Sequence, residues 1–100
     1  MKIVAVTACP TGIAHTYMAA EQLEMTGKKL GYQVKVETQG AMGVENEVSA
    51  ADIAAADAVI FAVGVPVQDR ERFEGKRILE VPVADAIKNA PGVFEKLKAL

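Results

Sequence analysis

The chain has 100 residues, 51% of them hydrophobic and 24% charged, so we expect residues 1–100 to form one small domain. Its net charge is −2, and lysine and arginine are spread along the chain. This argues against a nucleic-acid partner, because proteins that bind nucleic acid usually carry a basic stripe on their surface. A single cysteine excludes an internal disulfide, and neither a bilayer-spanning apolar run nor a signal-peptide pattern is present, so we expect a cytoplasmic protein.

Strand and helix patterns alternate in the first part of the chain. The apolar, β-branched run Lys2–Val6, continued by Thr7, predicts a first strand that is buried on both faces. A helix is predicted over about Ala14–Leu30, because small or apolar residues recur every three or four positions and Gly31 follows as a C-terminal stop. The alternation over Gln33–Thr38 predicts a second strand, more exposed on one face.

The same alternation continues after a predicted loop over residues 39–48. Ser49, with Asp52 three residues later, predicts a capped short helix. A buried third strand, a short helical turn and a fourth strand are predicted in turn over Ala58–Val63, Asp69–Phe73 and Arg77–Val81. Helix is predicted over about Val83–Leu100, with Pro91 as the first residue of a new helical turn.

The order of these elements predicts the fold class. Strands that alternate with helices indicate an α/β domain with an open four-stranded parallel sheet and helices on both faces, in a Rossmann-like arrangement. Ligands of such sheets lie beyond the carboxyl ends of the strands. The loop after the first strand is therefore the first candidate for a functional site.

That loop has the sequence CPTGIAHT and contains the only cysteine and the only histidine of the chain. Its backbone amides and the start of the following helix would converge on one point, where they favour an anion and stabilise a thiolate. A nucleophile and an anion site would then coincide, as phosphoryl transfer through a phosphocysteine requires. We predict Cys9 as the catalytic nucleophile. The predicted phosphate-binding loop comprises Pro10, Thr11, Gly12, Ile13, Ala14, His15 and Thr16.

Each of these residues also has a simpler interpretation. A lone cysteine in a cytoplasmic protein is most often a small buried hydrophobe. The two threonines of the loop can cap the helix, and its proline and glycine are common turn residues. His15 either packs locally at the helix start or acts as a donor to phosphate or as an electrostatic partner of the thiolate.

Other phosphate-binding motifs are absent from the sequence. It contains neither G-x-x-x-x-G-K-[ST] nor G-x-G-x-x-G, which argues against a nucleoside triphosphatase and a dinucleotide-binding enzyme. Small thiol phosphatases have an arginine six residues after the cysteine, where this chain has His15. We therefore expect a phosphocysteine to hydrolyse slowly and to persist until an acceptor arrives. We expect no cofactor and no metal ion.

The stretch CPTGIAHTYMAAEQL resembles the signature of the fructose-type enzyme IIB components of the bacterial phosphoenolpyruvate-dependent sugar phosphotransferase system. The resemblance continues in VETQG, ADAVIFAV and RFEGKRILEVPVADAIK, so it covers nearly the whole chain. It implies a phosphorelay protein built on a four-stranded parallel sheet flanked by helices. In this family the IIB cysteine takes a phosphoryl group from a phosphohistidine of a IIA domain and gives it to a sugar carried by the membrane component IIC.

Carried over to this chain, the resemblance implies that Cys9 is the phosphorylated residue and that the loop through Thr16 holds the phosphoryl group. The implied enzyme is a protein-N(pi)-phosphohistidine–sugar phosphotransferase component that acts with IIA and IIC on fructose or a related sugar. It would be cytoplasmic and would associate with the inner membrane through IIC. The sequence leaves open which sugar is used and whether the chain is free-standing or excised from a fused protein.

Two residues at the end of the second strand are further candidates. Gln39 and Gly40 would reach the same sheet edge as Cys9, where they either contact the site or form a plain turn. Two other functions also stay open: a regulatory anion-binding module on the same fold, in which Cys9 is never phosphorylated, and a thiol phosphatase.

Overall fold

The computed structural model describes residues 1–9, 13–40 and 43–100, over which strands and helices alternate. The strands are β1 (Lys2–Ala8), β2 (Gln33–Gly40), β3 (Gly43–Glu45), β4 (Ala58–Val63) and β5 (Ile78–Val81). The helices are α1 (Ile13–Lys29), α2 (Ala50–Ala55), α3 (Val83–Lys88) and α4 (Ala90–Lys98), with a short 3-10 helix over Arg70–Phe73. The predicted elements are confirmed in type and order, and the strand over Ala58–Val63 is confirmed to the residue.

The five strands form one sheet in the order β3-β2-β1-β4-β5. Four of them, β2, β1, β4 and β5, are parallel, as predicted, and β1 lies in the centre. The fifth strand, β3, runs antiparallel to β2 and was predicted as loop, which was wrong. Its three residues are all exposed, so it has no hydrophobic period; only its pairing with the end of β2 makes it a strand.

The alternation of side chains divides the core into two layers, which we call the α1 face and the α2 face after the helix that covers each. On the α1 face, alternate residues of β1 such as Ile3 and Ala5 pack under α1, α3 and α4, with Leu23 and Phe94 at the centre. On the α2 face, the intervening residues of the strands meet α2 and the 3-10 helix. The largest side chains of this second layer are Phe61 and Phe73, whose rings meet edge to face at 5.2 Å.

The helix ends follow the predicted signals. Ser49 and Asp52 form a reciprocal capping box at α2, with both backbone-to-side-chain bonds at 3.0 Å. Gly31 adopts a φ of 83° just after α1, the left-handed conformation that ends helices. The C-terminal helix is divided in two because Asn89 caps a new helix, α4, that has Pro91 in its first turn. Among the described residues, no helix has the length and apolar character needed to cross a bilayer.

Candidate functional site

The carboxyl ends of β1 and β4 lie side by side in the middle of the sheet. Ala8 pairs in register with Val63, and the Gly64 amide donates to the Ala8 carbonyl at 2.7 Å. From β1 the chain continues to β2 on one side, whereas β4 and β5 lie on the other side. This reversal of strand order marks the place where open α/β sheets bind ligands. Cys9 follows Ala8 and therefore lies at this point.

Cys9 and His15 meet at this edge. The sulfur of Cys9 lies 3.9 Å from Nδ1 of His15, within reach of a hydrogen bond to sulfur. Cys9 is half-buried against the core of the α1 face, and His15 is exposed in the first turn of α1. An imidazolium at this distance would attract a thiolate or a phosphoryl group on the sulfur. The pair can therefore hold a nucleophile and stabilise the negative charge that it acquires.

A buried threonine fixes the start of α1 against β1. The hydroxyl of Thr7 donates to the carbonyl oxygen of Thr16 at 3.1 Å, and both residues are buried. Because His15 directly precedes Thr16, this bond fixes where the backbone of His15 lies relative to the end of β1. The positive end of the α1 dipole faces the same edge.

The structure brings some of the predicted site residues together. Gly40 lies against Thr16, since a Cβ placed on it would be 3.5 Å from the Thr16 hydroxyl. Cys9, His15, Thr16 and Gly40 thus share the carboxyl edge on the side of α1. Ile13 and Ala14 are the first two residues of α1. The predicted contributions of Pro10, Thr11 and Gly12 lie outside the described residues.

Gln39 lies at the same edge but points to the α2 face. Its Oε1 accepts from the Gln68 amide at 2.8 Å, and its Nε2 donates to the Gln68 carbonyl at 3.3 Å and to Glu37 at 2.7 Å. The side chain is buried. These contacts use both ends of the amide within the protein.

A buried ion pair on the α2 face was missed by the sequence analysis. Arg72 donates through Nη1 and Nη2 to the two carboxylate oxygens of Glu37, at 3.0 and 2.9 Å. The Glu37 side chain is fully buried and also accepts from the Val48 amide at 3.1 Å. Burial raises the pKa of Glu37, but the hydrogen bonds from Arg72, Gln39 and Val48 lower it by a larger amount. The pKa of Glu37 therefore lies below the ordinary value, and the group is ionised at neutral pH.

The prediction that the second strand is more exposed on one face was therefore wrong at Glu37, and the strand continues through Gln39 and Gly40, which were predicted as loop. The alternation of charged and apolar residues is the same for a solvated face and for a face covered by a neutralising partner. Arg72 supplies that partner through a bidentate contact. The signal that could have revealed it is a glutamate on a strand that neighbours the central strand of a covered sheet.

A cleft of about 390 Å³ lies next to the site, beyond the end of β4. It is lined by residues 63–67 together with Arg70 and Glu80, which form an exposed ion pair at 3.0 Å. Within the described ranges, no group of three or more histidine, cysteine, aspartate or glutamate side chains is placed to hold a metal ion.

Comparison with known proteins identifies a matching family. Residues 4–96 match the family model described as "PTS system, Lactose/Cellobiose specific IIB subunit". The chain is 53% identical over 98 residues to the PTS system fructose-like EIIB component 2 of Escherichia coli K12, covering 98% of this chain and 92% of the relative. It is also 52% identical over 99 residues to the fructose-like PTS system EIIBC component of the same organism, which covers 97% of this chain and 20% of that longer relative.

A solved structure of the same family also matches this chain over most of its length. The solution structure of the enzyme IIB subunit of a PTS system from Escherichia coli K12 superposes with a TM-score of 0.91 at 47% identity. The match covers 97% of this chain and 90% of that one.

Proposed function

Because this chain belongs to the family of IIB subunits of the sugar phosphotransferase system, we propose that Cys9 is the residue on which it carries the phosphoryl group. The chain is a phosphoryl carrier in sugar transport, and IIB components act as phosphotransferase components together with IIA and IIC. The observation that carries the proposal is the position of Cys9 at the reversal of strand order, with its sulfur 3.9 Å from His15.

The proposed reaction has two displacements at phosphorus. The Cys9 thiolate attacks the phosphoryl group of a IIA phosphohistidine; an S–P bond forms, the P–N bond breaks, and the electron pair returns to the imidazole of IIA. A sugar hydroxyl then attacks the same phosphorus; an O–P bond forms, the S–P bond breaks, the Cys9 thiolate is regenerated, and the hydroxyl proton passes to a base on the sugar-bound side. Both steps need an in-line approach and charge stabilisation more than covalent help from the protein.

His15 places an imidazole beside the sulfur in both steps, where it can act as a hydrogen-bond donor to the phosphoryl group. It is exposed on the first turn of α1 and is held by the Thr7–Thr16 bond, so a partner protein can approach without displacing a buried group. A single imidazole cannot clamp two phosphoryl oxygens as the arginine of a thiol phosphatase does. The phosphocysteine is accordingly a carrier that waits for the sugar, and not a hydrolytic intermediate.

The names of the relatives support a proposal about the partners and the sugar. Relatives at 52 and 53% identity are named fructose-like, and this favours fructose or a related sugar over the lactose and cellobiose of the family description. One relative joins EIIB and EIIC in a single chain, which supports the action of this domain beside a IIC protein at the cytoplasmic side of the membrane. Residues 1–100 are then one IIB domain that receives phosphate from a IIA partner.

The test is the intact mass of the chain after incubation with phosphoenolpyruvate, the general phosphorelay proteins and a fructose-type IIA, run beside the variant Cys9→Ser. We expect a gain of one phosphoryl group that disappears when sugar and IIC membranes are added, and no gain in Cys9→Ser. The absence of a gain with a demonstrably phosphorylated IIA would contradict the proposal. Rapid, Cys9-dependent turnover of a chromogenic phosphate ester would instead indicate a thiol phosphatase.

A further inference from the structure

The Gln39 amide mimics a neighbouring strand. Its oxygen accepts from the Gln68 amide at 2.8 Å while its nitrogen donates to the Gln68 carbonyl at 3.3 Å, so one side chain satisfies both backbone groups of that residue. Residue 68 lies between β4 and the 3-10 helix and is assigned to neither. Gln39 therefore supplies the pairing that a strand would supply elsewhere in the sheet.

The orientation of this amide is fixed by charge. Glu37 is ionised and can only accept, so the NH₂ group of Gln39 must face it, at 2.7 Å. A flipped amide would place its oxygen against the carboxylate and would lose the bond from the Gln68 amide. Arg72 holds Glu37 through two bonds and adds a longer contact of 3.5 Å to the Gln68 carbonyl. The buried ion pair thus dictates which way Gln39 points.

The segment that Gln39 holds begins beside Cys9. Residues 64–68 run from the end of β4, and the Gly64 amide donates to the Ala8 carbonyl at 2.7 Å. Ala8 directly precedes Cys9. The end of β1 is therefore held from two sides: through Thr7 and Thr16 on the α1 face, and through Gly64 on the side of β4.

We propose that Gln39 is a positioning residue for phosphoryl transfer, which anchors residues 64–68 so that the bond from Gly64 to Ala8 holds the Cys9 backbone in line with the phosphoryl donor. The inference rests on the proposed function of Cys9. Gln39 itself contacts neither the phosphoryl group nor the sulfur, because both ends of its amide are bonded inside the protein. In-line transfer between two proteins depends steeply on the placement of the nucleophile, and a displacement of about 1 Å can cost about a hundredfold in rate.

The test is a rapid-quench measurement of phosphoryl transfer from purified phosphorylated IIA to Gln39→Ala and to the unaltered chain, over a range of IIA concentrations. We expect the maximal rate to fall about tenfold and the half-saturating concentration of IIA to change by less than about twofold. A second variant, Gln39→Met, keeps the length and volume of the side chain and loses only the amide. It should show the same division of effects even if Gln39→Ala folds poorly.

Two controls separate positioning from stability. Gln33→Ala removes the same side chain at the exposed amino end of the same strand and should transfer at the unaltered rate. Asn89→Ala removes the cap of α4, and we expect it to lower the unfolding temperature without removing any of the bonds described for residues 64–68. It should also leave the maximal rate unchanged at a temperature where the protein is folded.

Three outcomes would overturn the inference or its basis. Equal maximal rates for Gln39→Met, Asn89→Ala and the unaltered chain would reduce Gln39 to a structural role. A raised half-saturating concentration with an unchanged maximal rate would make residues 64–68 a docking contact and not a positioning device. If the unaltered chain takes no phosphoryl group from IIA, the proposed function is contradicted, and this inference with it. If all variants are phosphorylated at equal rates, only the inference is contradicted.

Discussion

The two faces of the sheet differ most at the edge where β1, β2 and β4 end. On the α1 face, a half-buried cysteine and an exposed histidine lie 3.9 Å apart at the surface. On the α2 face, Glu37 and Gln39 are buried and bonded to Arg72, Val48 and Gln68. In the part of the chain that the structure describes, no buried side-chain nitrogen or oxygen lacks a partner.

This difference agrees with the proposal that Cys9 reacts while the residues of the α2 face support the fold around it. A group whose bonds are all made inside the protein must break them before it can react, whereas a group at the surface can exchange partners at little cost. Side chains alternate between the two faces along each strand, and this alternation decides which residues point to the α1 face and which to the α2 face. Ala8 pairs with Gln39, so their side chains point to the α2 face, and Cys9 comes one residue later with the opposite parity.

The largest effect should come from breaking the ion pair on the α2 face. Arg72→Met leaves a fully buried carboxylate without its partner, and we expect a loss of about 3 kcal/mol in the free energy of unfolding, at the low end of the usual range because Arg72 keeps some exposure. Urea titration measures it. The double variant Glu37→Gln with Arg72→Met should recover part of the loss, because position 37 then carries no unpaired charge and its amide oxygen can still accept a hydrogen bond from a neighbouring donor. A double variant as unstable as the single one would show that the charge pair is not the cause.

A smaller effect should follow from acid, which removes the charge of Glu37 but leaves its neighbours in place. The pKa of Glu37 lies below its ordinary value of 4.5, and the pKa of Asp52 is also lowered, by bonds from Ser49 and Lys35. Carboxyl groups with lowered pKa stabilise the fold above their ordinary values and lose this contribution as the pH falls through the lowered values. Urea midpoints should therefore drop as the pH falls below about 4.5.

The variant Glu37→Gln serves as the control for this pH dependence. It has no charge to lose at position 37, so its midpoint should fall less steeply with acid than that of the unaltered chain. Glu24 on α1 acts in the opposite direction, because burial and the nearby Glu21 raise its pKa, and it is present in both proteins. Parallel pH curves for the two proteins would contradict the assignment to Glu37.

A change on the α1 face should affect the reaction and not the fold. We expect His15→Ala to slow phosphoryl transfer from IIA to Cys9 about tenfold, equivalent to about 1.4 kcal/mol, because the imidazole that can donate to the phosphoryl group beside the sulfur is lost. The free energy of unfolding should change by less than about 0.5 kcal/mol, since the side chain is exposed. Rapid-quench and urea measurements on the same sample test both statements. Normal transfer with reduced stability would assign His15 a packing role.

The smallest effect should come from an arginine two residues from Arg72. Arg70 forms a solvent-exposed salt bridge with Glu80, and its guanidinium carbon lies 5.0 Å from the centre of the Phe61 ring. Arg70→Ala should cost less than about 1 kcal/mol in urea titration, because exposed pairs contribute little. A loss as large as that of Arg72→Met would erase the distinction between the two arginines.

The strands and helices could be predicted because each carries its own local signal. The β-branched run of β1, the capping box of Ser49 and Asp52, and the stop at Gly31 need no tertiary contact to be recognised. Cys9 could be placed beyond the carboxyl end of the first strand, at the edge where open parallel sheets bind ligands.

The missed features depend on contacts between distant residues. β3 is a strand only through its pairing with β2, and Arg72 lies 35 residues from the glutamate that it neutralises. The direction of Gln39 follows from the register of β1 and β2, which pairs Gln39 with Ala8 and so directs it away from the side of Cys9. The sequence shows that the two residues share an edge, but not that they face opposite sides of it.

The central position of β1 has a consequence for the synthesis of the chain. β1 is synthesised before its partners β2 and β4, which begin about 30 and 55 residues later. The contacts of β1 therefore join residues that are far apart in sequence, and such contacts form slowly during folding. The surroundings of Cys9 are complete only when Gly64 can bond to Ala8. A nascent chain that ends before β4 therefore lacks part of the surroundings of Cys9, and the proposed site forms late, with the closure of the whole sheet.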